Sequence, residues 1–279
     1  MENIKNFDEF TEENSGVVKN LIFEGIVPNF VKKTVKLTMD NNFGVDFSEK
    51  KYLKYKRNGL TVYSIFKRTE LPGYGSKTRN DDGNPFIWAL KQIDGWSFDF
   101  SDDDAKKYIR RFLEVCHSID KKYDVIVMAP SKNKVNERFM DIIYGIVGAD
   151  KKIKDYFLKV ETSDIMYNLD TELINKDFSN EYSKEALEKE MLRKLRTMGK
   201  FFEAKKFNKD YLKYIKSIVT VSGDYSVSDS SKLFKDKNVL VLDDVFASGK
   251  TVSDCVKCIN DFEPKKVDVI TLLSARFKK

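Results

Sequence analysis

Val239-Leu-Val-Leu-Asp-Asp-Val-Phe-Ala-Ser-Gly-Lys-Thr251 is the stretch on which the reading of this chain turns. Val239 to Leu242 are four consecutive aliphatic residues, two of them β-branched, as in a strand buried on both faces inside a parallel sheet. Such strands deliver the loops that follow them to the carboxyl edge of the sheet, where ligands of open α/β folds bind. Asp243 and Asp244 stand at that edge, and their four acceptor oxygens suit the vicinal hydroxyls of a ribose. Ala247, Ser248 and Gly249 then form a turn with little side-chain bulk, so that consecutive backbone N–H groups converge on a phosphate at the start of a helix. Ser248 and Thr251 add hydroxyl donors. Val252, Cys255, Val256 and Ile259 fall close to one stripe of the helix that follows. The bland alternative is an ordinary strand–turn–helix with acidic residues capping the helix. A nucleotide P-loop, suggested by Gly249-Lys250-Thr251, fails on spacing: it needs a glycine where the chain has Asp244, whose charge repels the phosphates a P-loop cradles.

A second segment has the same form. Tyr123 to Ala129 reads as another buried strand, and Pro130-Ser131-Lys132-Asn133 is a polar turn ahead of an apolar, helical run from Phe139 to Val147. Lys132 and Arg138 offer positive charge, and the competing reading is a loop with solvated basic residues. Lys265 to Ala275 is a third strand candidate, placed after a helix and the break at Pro264, as the last strand of a βαβ unit.

The stretch from Val239 to Thr251 resembles the phosphoribosyl pyrophosphate (PRPP) loop of type I phosphoribosyltransferases: four aliphatic residues, two acids, two apolar residues and a turn rich in Thr, Ser and Gly. Phe246 departs from it, being aromatic where an aliphatic residue is usual. The resemblance implies that Asp243 and Asp244 hold the ribose hydroxyls, and that Ala247, Ser248, Gly249, Lys250 and Thr251 bind the 5′-phosphate. Pro130, Ser131, Lys132 and Asn133 take the place of the pyrophosphate loop. Together with Asn136 and Arg138 they are similar to the branch related to the competence protein ComF. The implied fold is α/β, a phosphoribosyltransferase core of parallel sheet flanked by helices over residues 105–279, preceded by a smaller α+β region, residues 1–104, of unknown role.

The resemblance also implies a reaction, transfer of the phosphoribosyl group from PRPP with release of pyrophosphate, assisted by Mg²⁺ bound mainly through the substrate. No metal ligand is assigned directly, and the acceptor stays open. Within the family, regulators keep the loop to sense a nucleotide, and phosphoribosyltransferase-like proteins with unassigned N-terminal regions are found beside retron reverse transcriptases, which makes an antiviral effector a further reading. A non-catalytic nucleotide sensor, a nucleic-acid-associated regulator or a toxic effector with a reverse-transcriptase partner are therefore the alternatives.

Composition bounds these readings. The 279 residues are 41% apolar, with 50 Lys and Arg against 44 Asp and Glu, a balance that allows contact with nucleic acid. The basic stretch Lys50 to Arg68, interleaved with Tyr52, Tyr55 and Tyr63, is one such surface, against the plainer reading of a solvated sheet face. No apolar run is long enough for a membrane helix. The acidic, polar segment Met1 to Gly16 lacks the plan of a secretion signal, so a soluble, cytoplasmic protein is expected.

Three cysteines make no disulfide framework. Cys116 stands alone near the end of a helix, and Cys255 and Cys258 form a lone C-x-x-C whose spacing puts both on a buried helical face. With His117 the only histidine, two further zinc ligands are lacking.

In the first hundred residues, alternation from Val31 to Lys67 suggests a small antiparallel sheet, broken by Leu71 to Ser76. Asn84 and Pro85 then open a helix over Phe86 to Ile93. Its Lys91 faces the active site if the resemblance to ComF-like proteins extends upstream, and otherwise is a solvated helix lysine. Ser101 caps a helix over Ala105 to Ile119 with acids in its first turn. The charged insert from Glu161 to Ile215 includes a helical run from Glu181 to Phe202, most simply a solvated face. In the family this interval holds a lid, and Arg193, Arg196 and Lys200 are its candidates to meet the ligand.

Overall fold

In the computed structural model, which describes residues 25–38, 45–69, 85–119, 121–131, 134–169, 174, 184–204, 207 and 209–274, the aliphatic run from Val239 is a strand with parallel neighbours on both sides. The chain starts with β1 (Gly25–Asn29) and β2 (Thr34–Thr38), then β3 (Val45–Asp46), β4 (Leu53–Arg57) and β5 (Leu60–Arg68). Next come α1 (Pro85–Lys91), β6 (Ser97–Phe98), α2 (Asp102–His117), β7 (Val125–Met128), α3 (Lys134–Val147) and β8 (Lys151–Ile153). The insert carries β9 (Phe157–Lys159), α4 (Lys184–Arg196) and β10 (Val219–Val221), and α5 (Val227–Phe234), β11 (Asn238–Val245), α6 (Lys250–Asn260) and β12 (Lys266–Leu273) follow. Met1 to Gly16, Leu71 to Ser76, the Asp81–Asn84 turn, Lys132, Asn133 and Ala275 lie outside the described residues.

The main sheet has the order β3-β5-β12-β11-β7-β8, with β4 also paired to β5. β5, β12, β11, β7 and β8 run parallel, and β3 and β4 are antiparallel to β5. Alternate residues of the central strands feed two cores. Val239 and Val241 of β11 join Val125 and Val127 of β7 on one face, where α6 contributes Val252, Cys255 and Ile259. Leu240 and Leu242 join Ile126 and Met128 on the other, against Phe139, Met140 and Ile143 of α3 and Phe112 and Val115 of α2. Burial on both faces is why these strands are continuously apolar rather than alternating.

The connectivity sets the site. From β7 the chain crosses through α3 to β8 on one side; from β11 it crosses through α6 to β12 on the other. The two helices lie on opposite faces, as crossovers of one hand running in opposite directions require. Adjacent strands whose connections diverge leave a crevice at their carboxyl ends, the switch point where ligands of such sheets bind.

The first hundred residues divide between two sheets. β1, β2 and β6 form a separate three-stranded sheet, while β5 is hydrogen-bonded in parallel to β12, so the main sheet runs across position 104. Val62 to Phe66 are all buried, and a strand covered on both faces belongs in the middle of a sheet. Tyr63 is only 1% exposed, and Tyr52 and Tyr55 pack against the cores. The aromatic residues of the Lys50 to Arg68 stretch are therefore turned inward rather than offered to bases. Helix α2 begins as its sequence suggests: Ser101 Oγ accepts from the Asp104 N–H at 3.2 Å. No described helix is long and apolar enough to cross a membrane.

Candidate active site

Strand β11 carries the two carboxylates just before its last residue, Val245, and its hydrogen bonding carries the chain directly into the loop. Ala129 N–H beyond β7 donates to Leu242 O at 2.8 Å, and Phe246 N–H donates to Leu273 O at 3.1 Å, so the ends of β7, β11 and β12 are locked side by side. A cleft of about 730 Å³ opens above them. Asp243, Asp244, Ala247, Ser248, Gly249 and Thr251 form one wall, and Pro130 and Ser131 from the loop after β7 form another. Two loops more than a hundred residues apart in sequence thus meet at one cavity because their strands are neighbours.

Gly249 shapes the turn. Its φ of 78° lies in the left-handed region, and a Cβ there would stand 2.5 Å from Cε1 and Cζ of Phe246. Phe246 is fully buried, edge-on to Tyr55 at 6.2 Å between ring centroids. The Phe246 ring therefore fills the space beneath the turn, and a glycine above it is required. Gly249 also occupies the N-cap of α6, so the positive end of that helix lies at the cleft.

Lys250 turns away. Its Nζ donates to Asp254 Oδ1 at 2.8 Å and to Lys216 O at 3.2 Å, while its backbone N–H donates to Ser248 Oγ at 3.3 Å. The other oxygen of Asp254, a residue 1% exposed, accepts the Ile218 N–H at 2.9 Å and ties α6 to the segment that leads into β10. The Lys250 side chain thus braces the helix instead of lining the cleft.

The two acids have different surroundings. Asp244 is ion-paired with Lys91, brought in at the last turn of α1. Asp243 Oδ1 accepts from Asn136 Nδ2 at 3.2 Å and from the Asp244 N–H at 2.9 Å. Burial, then the neighbouring Asp244 charge, push the Asp243 carboxyl up from 3.8 to about 7, against the opposing pull of Lys91 and the two hydrogen bonds. Asn136 is completely buried on α3, and its Oδ1 has no hydrogen-bond partner among the described residues.

The insert closes the cleft from above. Lys159, Lys200, Phe201, Phe202 and Phe207 line it, held by an antiparallel bridge between Glu161 and Phe201. Of the three cations singled out in the insert, Lys200 reaches the cleft, paired with Glu161 at 3.0 Å. Arg193 is exposed and doubly hydrogen-bonded to Glu190, and neither it nor Arg196 lines the cavity. Arg138 is exposed and likewise outside it. A second cleft of about 860 Å³ adjoins the first, sharing Pro130, Ser131, Lys159 and Phe201.

Cys255 is buried on α6 and Cys258 half-buried; burial and then the Asp243 charge push the Cys255 thiol up, which leaves it protonated and unreactive. Among the described residues, no group of three or more His, Cys, Asp or Glu side chains is arranged to hold a metal ion.

Sequence reasoning missed Lys159 and the Phe201–Phe202 pair, which carry no local signal, and Asn58, whose Nδ2 donates to Ser248 O at 3.2 Å. Asn58-Gly59 between two apolar-alternating runs is a strong hairpin signal, but nothing local says what the hairpin touches.

Neither the curated proteins nor the solved structures contain a match to this chain. Residues 187–279, the C-terminal third, which holds β11, α6, β12 and the whole Asp243–Thr251 loop, match the model of the phosphoribosyl transferase domain.

Proposed function

We propose that the cleft binds PRPP and transfers its phosphoribosyl group to an acceptor with release of pyrophosphate. The observation that carries this reading is the convergence of Asp243, Asp244 and the 247–251 turn with Pro130 and Ser131 on one cavity at the switch point of the sheet. In the reaction the bond from ribose C1 to the diphosphate oxygen breaks, that oxygen keeps the electron pair, and C1 forms a bond to the acceptor.

Each part of the chain has a task. Within the turn at Ala247–Thr251, where the Ala247 N–H is held by Val245 O and the Lys250 N–H by Ser248 Oγ, the backbone N–H groups of Ser248, Gly249 and Thr251 at the helix start hold the 5′-phosphate. Asp243 and Asp244 accept from the two ribose hydroxyls and, being close to C1, stabilise the positive charge that develops there. Ser131 with its neighbours receives the diphosphate, and Lys159 and Lys200 stand across the same cavity as counter-charges. The second cleft, which meets the first at Ser131 and Phe201, offers the acceptor a place beside the reacting carbon.

Two adjacent carboxylates, one already paired with Lys91, are too few to cage a divalent cation; they suit an ion that arrives on substrate oxygens, as Mg²⁺ does. When bound, Mg²⁺ would neutralise charge on the leaving diphosphate. The remaining work is positioning by this chain's own groups.

Titration calorimetry with PRPP and Mg²⁺, followed by an assay for released pyrophosphate with candidate acceptors, tests the proposal. Saturable binding that the Asp243→Asn, Asp244→Asn double variant loses supports it; a wild-type chain that ignores PRPP rejects it.

A further inference from the structure

The turn at Asn58-Gly59 is far from the phosphate loop in sequence and touches it in space. Both residues have positive φ, 52° and 75°, the backbone of a type I′ hairpin, and they join β4 to β5. From this turn Asn58 Nδ2 donates to Ser248 O at 3.2 Å, and the same nitrogen stands 3.0 Å from where a Cβ on Gly249 would lie. Tyr55, on the strand leading into the turn, packs edge-on against Phe246. Two contacts, on Phe246 and Ser248, and a close approach to Gly249 therefore come from one hairpin outside the matched residues.

The hydrogen bond acts on a peptide plane. Ser248 C=O and Gly249 N–H belong to one trans, planar unit, so they point in opposite directions. With the carbonyl drawn to Asn58, the N–H faces away from the hairpin. If the plane turned over, the carbonyl dipole would take its place, and the turn would repel an anion. Gly249, with no Cβ and a low barrier between conformations, is the residue at which such a flip is easiest.

We propose that Asn58 is a positioning residue that locks the Ser248–Gly249 peptide with its N–H presented to a phosphate, so that the N-terminal hairpin is a working part of the anion site. This rests on the reading of the 247–251 turn as a phosphate site. Asn58 itself touches no ligand.

The test uses the full chain with Asn58→Asp and Asn58→Gly. Both replacements keep a residue that tolerates the turn backbone, and neither can donate to Ser248 O. Amide hydrogen exchange over the turn, affinity for ribose 5-phosphate and affinity for Mg²⁺–pyrophosphate are measured alongside thermal unfolding. The expected result is faster exchange confined to residues 247–251 and ribose 5-phosphate affinity lower by about 10-fold, more for Asp than for Gly. Pyrophosphate affinity and the unfolding midpoint stay as in the wild type. Wild-type exchange in both variants overturns the proposal, as does equal weakening of both ligands together with a lower unfolding midpoint. Should the wild type bind no ribose 5-phosphate, the phosphate reading of the turn falls; the exchange measurement then decides the positioning role alone.

Discussion

The parallel strands carry acids paired with lysine at both ends, two at the carboxyl ends and one at the amino ends, and the two groups serve different purposes. At the carboxyl ends, Asp243 and Asp244 meet Lys91 and Asn136 beneath an open cleft. At the amino ends, Asp268 of β12, fully buried, accepts from Tyr123 Oη at 3.0 Å and is paired with Lys266 and with Lys121, the latter at 3.8 Å. Lys121 also lies over the Tyr63 ring, and burial pushes the Tyr123 phenol up, with the Asp268 charge adding to it. None of these residues lines either cleft. The acid pair lines a cleft because the connections diverge at that end and leave space; at the other end a single acid, its cations and a phenol are packed within the fold.

Mutations at the two ends should have opposite effects on binding and stability. Replacing Asp243 and Asp244 by Asn should weaken PRPP binding by roughly 100-fold or more, the loss of two charge-assisted contacts, with a smaller stability loss than Asp268→Ala, because the Asn amide oxygen at position 244 still accepts from Lys91. Calorimetry and a melting curve on one preparation check both halves. Asp268→Ala should do the reverse, costing about 3 kcal/mol in denaturant unfolding because Lys121, Lys266 and Tyr123 lose their common partner, with PRPP affinity unchanged. Loss of binding without loss of stability in Asp268→Ala would erase the distinction.

Gly249→Ala should cost on the order of 1–3 kcal/mol, since the new Cβ meets the Phe246 ring and the backbone is left-handed. Adding Phe246→Leu should recover part of that loss if the ring is what forbids the side chain. An unchanged unfolding midpoint in the single variant would contradict this packing of Gly249 on Phe246.

Protonation separates the ends more gently. In the folded chain Asp243 holds its proton up to about 7, against 3.8 for an ordinary carboxyl. Its contribution to stability is thus fully present below the ordinary value and is lost as pH rises through about 7. Asp243→Asn should accordingly raise the thermal midpoint at pH 8 relative to wild type, by roughly 2–4 °C, and by less at pH 5. Affinity for Mg²⁺–PRPP should climb between pH 6 and 8 as the carboxyl ionises, a slope the variant abolishes. The smallest effect is expected from Lys91→Met: without that cation the midpoint of the slope should move upward by roughly one pH unit. A midpoint that stays put would remove Lys91 from the electrostatics of the site.

What the sequence by itself determined is local. Four aliphatic residues before two acids and a small-residue turn identify a buried strand, its exit and a helix start, because burial on two faces and a left-handed turn each restrict residue type over a few positions. The same holds for β7, for β12 and for the Ser101 cap of α2. Tertiary structure alone decided which of these exits face one another. That β11 lies beside β7, that β5 joins β12 across position 104, that Lys91 meets Asp244 and Asn58 meets Ser248 are consequences of strand order and helix placement. Lys200 and Arg193 look alike in sequence, and only one lines the cleft. Lys250 sits inside the motif and points out of it, because a buried Asp254 one helical turn away claims its charge. A side chain's direction is set by what surrounds it in space, and that is information a linear pattern holds only where neighbours in space are also neighbours in the chain.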